Sequence, residues 1–368
     1  MKKYGLFAVC LLAVAMFVAA CGSSNNSSSS TASSGASSGS TSAKGGKIAF
    51  LLPESKTARY ETQDRPLFEA KVKALCPGCQ ILYSNADQDA SKQQQQAEAA
   101  LTQGAKVMVL DPVDGAAAAT IVKQANSKGV PVISYDRLLL NSKPDYYVEF
   151  NSPSVGKIQG KALADKLGNK GTIVMINGAP TDNNAKLFKQ GALSVLDGSG
   201  IKIAKSYDTP DWSPDKAQSE MEQAITAVGK GNFQGVYAAN DGTAGGAIAA
   251  MKSAGIDPKT IPTTGQDAEL AAIQRILAGD QFMTVYKPIK PLADIAAKWA
   301  VALANGQKPT GANSTENNGQ TNVPTLKLPV TAVTAANVKS TVIKDGYWKA
   351  ADVCTGAFAS ACQKAGIQ

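Results

Sequence analysis

Short apolar runs alternate with amphipathic ones along most of the chain. Residues 47–52 (Lys-Ile-Ala-Phe-Leu-Leu) read as a first strand, and 80–84, 106–110 and 130–134 as the next three. Between them, apolar positions recur at helical spacing over 63–75, 90–103 and 116–128. The rhythm resumes with strands over 172–176, 201–207, 235–239 and 262–265, and helices near 184–196, 215–228, 242–254 and 292–303. Strand runs this short, apolar and rich in Val and Ile fit parallel strands covered on both faces. The β–α alternation predicts an α/β protein built from doubly wound parallel-sheet lobes.

The first residues break that pattern. Lys2 and Lys3 precede a short apolar run over 6–17, and Val18-Ala19-Ala20 are small residues directly before Cys21. This is the layout of a secretory signal, too short to span a bilayer comfortably. Residues 22–46 are dominated by Ser, Gly, Asn, Thr and Ala and hold nothing that could form a core. A coil of that kind reaches about 25–30 Å, from roughly 5–6 Å × √n. The remaining 47–368 is long for one core and implies two domains.

Composition then removes several functions. The chain carries a formal charge of +8, but basic and acidic residues interleave and no basic block lies outside the signal. With no helix-turn-helix segment and no zinc-finger spacing, nucleic acid is not expected as a partner. Histidine is absent, which excludes Ser-His-Asp and Cys-His catalysis and His-ligated zinc. An enzyme would have to rely on carboxylates, lysines or a cofactor; no such activity, and no cofactor or metal, is expected.

Four cysteines remain once Cys10 and Cys21 are set aside: Cys76, Cys79, Cys354 and Cys362. Cys76-Pro-Gly-Cys79 has redox spacing but follows a helical stretch instead of opening one, and Pro-Gly is a turn signal. Structural disulfides are expected, and proximity pairs Cys76 with Cys79 and Cys354 with Cys362, one of three connectivities open to four cysteines. Asp111, Asp136, Asp241 and Asp267 each lie just beyond a strand's C-terminal end, the edge where open α/β sheets bind ligands. Capping is the alternative use of such a residue. We assign capping to Asp111 and binding to Asp136, Asp241 and Asp267.

Five segments carry a more specific signal. They are Ser-Tyr-Asp-Arg-Leu at 134–138, Thr-Asp-Asn-Asn-Ala-Lys-Leu-Phe at 181–188 and Ala-Ala-Asn-Asp-Gly-Thr-Ala-Gly-Gly-Ala-Ile at 238–248. Thr-Gly-Gln-Asp-Ala-Glu-Leu-Ala-Ala-Ile-Gln-Arg-Ile at 264–276 and Met-Thr-Val-Tyr-Lys-Pro-Ile at 283–289 complete the set. In this order they resemble the periplasmic sugar-binding proteins of ABC transporters, type I fold, xylose-binding branch, over nearly all of 47–350. Val18-Ala19-Ala20-Cys21 resembles the lipobox of bacterial lipoproteins, in which the cysteine becomes diacylated.

The resemblance implies two lobes joined by a three-segment hinge, with crossings near Phe150–Asn151, Tyr286–Lys287 and 319–325. It gives 1–20 as signal and 21–46 as lipidated cysteine and tether. One lobe takes 47–151 plus 287–318; the other takes 152–286 plus 319–368, tail included. Asp136 and Arg137 are the expected sugar ligands, an acceptor beside a planar donor fork. Arg59 is expected to reach the sugar from the same lobe, Asn183 or Asn184, Asn240 and Asp267 from the other, and Lys287 from a crossing. Trp212, in a loop after a strand, and Tyr60 are candidates to pack on the sugar's C–H face; Trp299 is expected in the core. The expected partners are a monosaccharide, most simply D-xylose, and a membrane permease, with the protein monomeric and held outside the cell membrane by its lipid. The same closed form could instead report to a membrane sensor, and glucose, arabinose or galactose could replace xylose.

Overall fold

A computed structural model describes residues 45–367. The expected signal, the lipidated Cys21 and most of the tether therefore lie outside the described residues. Among those described, no helix is long and apolar enough to cross a membrane.

The chain runs β1 (Lys47–Leu52), α1 (Arg65–Leu75), β2 (Gln80–Asn85), α2 (Ala90–Thr102), β3 (Ala105–Leu110), α3 (Ala119–Ser127), β4 (Val132–Tyr135) and β5 (Tyr146–Phe150). It continues through α4 (Ser152–Lys166), β6 (Lys170–Asn177), α5 (Asn183–Leu196), β7 (Gly200–Asp208), α6 (Pro214–Val228), β8 (Gly235–Ala238), α7 (Asp241–Ser253) and α8 (Leu270–Ala278). Then come β9 (Thr284–Tyr286), α9 (Ile289–Ala304), β10 (Ser314–Asn317), β11 (Asn322–Leu328), β12 (Thr331–Val333) and a short-helical tail. A widened helical turn, Tyr60–Asp64, leads directly into α1.

The first lobe is a seven-stranded sheet in the order β10-β11-β5-β4-β3-β1-β2, parallel except for β10. The second is built on parallel β7-β6-β8. The expected strand over 262–265 forms only a single bridge, Val236 to Thr263. Backbone hydrogen bonds from 263–267 to 282–285 carry the sheet on to β9, which pairs with β12. Each sheet buries apolar side chains on both faces: Val107, Val109 and Ile133 on one side of the first, and Ala49, Met108 and Val132 on the other. That two-sided burial is why its strands read as continuous Val/Ile runs.

The first two crossings follow β5 and β9. The third differs from expectation. β10 and β11 belong to the first lobe's sheet, so 319–328 stay with that lobe and the chain crosses over 329–330. The Asn-rich run 313–322 forms the β10–β11 hairpin, with Asn318 Oδ1 accepting from the Gln320 and Thr321 amides (3.1 and 2.9 Å) and Asn318 Nδ2 docking it through the carbonyls of Leu139 and Ser142 (2.7 and 3.0 Å). Disulfides join Cys76 to Cys79 and Cys354 to Cys362. The tail places Val338, Val342, Val353 and Ile367 in one apolar cluster with Ile273 and Ile276 of α8 and with Phe68 and Val72 of α1.

Candidate functional site

The C-terminal ends of both sheets face each other across a cleft, and the side chains that fill it are almost all polar. From the first lobe come Arg59, Tyr60, Asp136 and Arg137; from the second, Asn184, Trp212, Asn240 and Asp267; Lys287 enters at the second crossing. Together they border about 270 Å³ of non-atom space, open solvent included.

Asp136 sits one residue past β4 in a left-handed conformation (φ 58°), which a short polar side chain tolerates better than most. Its carbonyl accepts from Tyr147 Oη (3.0 Å) and, across the cleft, from Asn184 Nδ2 (2.9 Å). Its carboxylate accepts from Tyr60 Oη (2.8 Å) and lies 3.1 Å from Arg59 Nη2. Burial pushes this carboxyl up, but Arg59, Lys287 and Arg137, with the Tyr60 hydroxyl, more than offset it and hold it at about 2.

Arg59 is fully buried and bidentate to Asp64, Nε and Nη2 donating at 2.9 and 2.8 Å. Its Nη1 also lies 3.7 Å from Asp267 in the other lobe. Asp267 Oδ1 is 2.8 Å from Lys287 Nζ. Arg137 Nε reaches Asp182 of the second lobe (3.1 Å), and its Nη2 approaches Glu54 (3.5 Å). Charge pairs thus span the cleft, and the lobes are closed on it.

Asp182 caps α5, its Oδ1 accepting from the Asn184 amide at 2.8 Å, while Oδ2 accepts from Trp212 Nε1 at 3.1 Å. One carboxylate therefore sets Arg137, Asn184 and Trp212 together. Asn240 caps α7 through its carbonyl oxygen (2.8 Å from Thr243 N), leaving its amide group for the cavity. A Cβ at Gly178 would stand 1.9 Å from Trp212 Cη2, so only glycine lets the indole lie here. Gly156 does the same for α4 against α5: a Cβ there would meet the Phe188 carbonyl at 1.9 Å.

Asn184 Oδ1 and Gln266 Oε1 have no hydrogen-bond partner within the protein, while Asp136 Oδ1, Asp267 Oδ1 and Arg137 Nε meet only ion-pair partners, Arg59, Lys287 and Asp182, at 3.1, 2.8 and 3.1 Å. Buried polar groups seldom stay unpaired unless something else pairs with them. These acceptors and neutralised charge pairs match a ligand whose hydroxyls both donate and accept. Tyr60, Phe188 and Trp212 add apolar faces to the same wall.

Two assignments need correcting, and one open choice is decided. Asp111 caps nothing: Asp114 caps the turn before α3, accepting from the Ala116 and Ala117 amides, and Asp111 is wholly buried 3.7 Å from Arg137 Nε. Arg137, distant in sequence, is the charged group beside it. Asp241 does not line the cavity. It lies behind it, accepting from Gln281 Nε2, Thr284 Oγ1 and the Glu269 amide (2.8, 2.9 and 3.0 Å). Burial raises it to about 7 although Arg275 pulls the other way. Of the adjacent asparagines, Asn184 is the one in the cavity, while Asn183 is half-buried on the helix outside it. Asp182, Phe188, Gln266 and Thr57 also line the cavity and were not singled out. Asp182 and Gln266 sit inside segments already quoted, and an N-cap aspartate opening a cleft-facing helix was the available signal. Trp299 is in the core, its Nε1 donating to Thr310 O (2.9 Å).

Residues 48–308, more than two-thirds of the chain, match the periplasmic binding protein domain. The chain belongs to the periplasmic binding protein family. Among curated relatives, the D-xylose-binding periplasmic protein of Escherichia coli is 39% identical over 315 residues, covering 84% of this chain and 93% of that one. Its counterpart from Haemophilus influenzae is 40% identical over 309 residues, 83% of this chain and 91% of its own. Among solved structures, a carbohydrate transporter solute-binding protein from Chloroflexus aurantiacus in complex with D-glucose aligns with a TM-score of 0.77. It is 33% identical, and the alignment covers 84% of this chain and 98% of that one. These relatives are binding proteins of sugar transport, not enzymes, and the two-lobed type I fold is theirs as well.

Proposed function

We propose that this protein captures a neutral monosaccharide, D-xylose before others, between its lobes and delivers it to a membrane permease. The observation that carries the reading is the charge balance of the cleft. Arg59, Arg137 and Lys287 are each already engaged by carboxylates among the described residues, so no cation is left over for a sugar acid or sugar phosphate. What remains are the free amide oxygens of Asn184 and Gln266 beside neutralised charge pairs, groups that suit hydroxyls. In this reading Asp136, Arg137 and Arg59 bind hydroxyls from the first lobe. Asn184, Asn240 and Asp267 do so from the second, Lys287 donates at the crossing, and Trp212 packs against the ring. The identity to two D-xylose-binding proteins supports xylose.

Titration calorimetry of the full-length chain against xylose, glucose, galactose, arabinose and ribose tests the cargo. Xylose is expected to bind more tightly than glucose by about tenfold or more, the value of one extra exocyclic group in a tight pocket. Glucose binding as well as xylose would make the protein a general sugar carrier, and no heat with any of the five would remove the monosaccharide. Anchoring rests on Val18-Ala19-Ala20-Cys21. We expect Cys21→Ser to move the protein from the membrane fraction to the soluble one; retention in the membrane would overturn the anchor.

A further inference from the structure

Asp267 reaches the cavity from a loop that is left-handed at two consecutive non-glycine residues, Asp267 (φ 94°) and Ala268 (φ 52°). Residues with a Cβ avoid such a conformation unless their surroundings hold it. The amide side is held within the lobe: Asp267 N–H donates to Val285 O (2.9 Å) and Ala268 N–H to Thr284 Oγ1 (3.2 Å). The carbonyl side is held by the tail. Tyr347 Oη donates to Asp267 O at 3.1 Å, and Trp348 Nε1 donates to Ala268 O at 2.8 Å.

The two donors are themselves fixed. Tyr347 is buried and packs edge-on against Tyr286 and Trp348, with ring centroids 5.2 and 5.4 Å apart. The tail is tied on both sides of the hinge. Tyr347 O accepts from Gln63 Nε2 of the first lobe (3.3 Å), and Val353 O accepts from Gln274 Nε2 of α8 (3.2 Å). The Cys354–Cys362 disulfide closes its far end. Neither Tyr347 nor Trp348 lines the cavity.

We infer that the C-terminal tail is a strap in which Tyr347 and Trp348 are positioning residues, holding the Asp267 carboxylate at the cavity and setting sugar affinity without touching the sugar. This rests on the reading of Asp267 as a ligand contact. Phenylalanine at either position keeps a ring and removes the donor, so Tyr347→Phe and Trp348→Phe isolate the two hydrogen bonds.

Hydrogen exchange on the full-length chain is expected to rise in both variants over 266–269 and to stay unchanged in the sheet strands. The xylose dissociation constant is expected to rise about five- to tenfold per variant, the worth of one hydrogen bond. In an Asp267→Ala background the same substitutions are expected to change affinity by no more than about twofold, because the group they position is gone. Unchanged exchange over 266–269 would overturn the strap whether or not any sugar binds. An equal loss of affinity in both backgrounds would show a general structural role and would overturn the positioning of Asp267. If the wild-type chain binds no sugar, the reading of the cleft fails, and the exchange result decides the strap alone.

Discussion

Asp136→Ala is expected to weaken sugar binding by about two to three orders of magnitude while the protein still folds, because truncating one partner of a buried, charged hydrogen bond at a binding site costs roughly 2–5 kcal/mol of affinity. Asp136 meets Arg59 and Tyr60 in its own lobe and, through its carbonyl, Asn184 in the other. It therefore both offers a carboxylate to the ligand and helps close the cleft. The fold survives because Arg59 keeps its bidentate pair with Asp64. A carboxyl held at about 2 contributes stability above its unfolded value, and loses it as pH falls through about 2. From the ordinary value of 3.8 that contribution is on the order of 2 kcal/mol, so the variant's unfolding midpoint at pH 7 should fall by several degrees at most. Calorimetry with xylose and a thermal melt check both parts. Unchanged affinity would take Asp136 out of the site, and a chain that no longer folds would make the Arg59–Asp136 contact structural first.

Arg59→Met is expected to lower stability at pH 7 by about 3–5 kcal/mol and to abolish binding, since it strands several buried carboxylates at once. Asp64, Asp136 and Asp267 all face this guanidinium. Asp64 is already pushed up by burial despite Arg59. Without the cation its carboxyl rises further, and Asp136 and Asp267 lose a favourable neighbour. An acid raised above its unfolded value binds more protons folded than unfolded, so its destabilising effect fades as pH falls. The difference in unfolding midpoint between wild type and Arg59→Met is therefore expected to narrow from pH 7 to pH 5. A difference that stays constant would mean these carboxylates do not depend on Arg59.

Tertiary placement made Arg59 central. In sequence it is one arginine in a polar loop, and nothing nearby reveals Asp64 as its partner for a bidentate pair or Asp267 as its neighbour across a cleft. Asp111 shows the same limit from the other direction. Its position after a strand fits a cap as well as a buried partner for Arg137, and local pattern cannot choose between them. The stretch 146–166 did not read as structure at all. Glu149 interrupts the apolar pattern of β5, yet it is buried and accepts from Ser152. Gly156 and Gly160 give α4 a close-packing face with almost no hydropathy signal. The Asn-rich run 313–322 carries no apolar alternation to mark its strands, and the Asn318 side chain holds its turn.

The sequence alone determined the alternation of strands and helices, the parallel sheets, the exclusion of histidine-based catalysis and the family through five ordered segments. These are local signals: two-sided burial writes itself as Val/Ile runs, and strand-end motifs carry polar residues at fixed spacing. Only the tertiary structure decided that Asn184 and not Asn183 enters the cavity, that Asp241 lies behind it, that Asp182 ties Arg137 to Trp212, and that the tail holds the Asp267 loop. Each of these depends on the direction of a side chain or on a contact between residues far apart in the chain. Such contacts are set by how the lobes pack, which no local pattern of residues encodes.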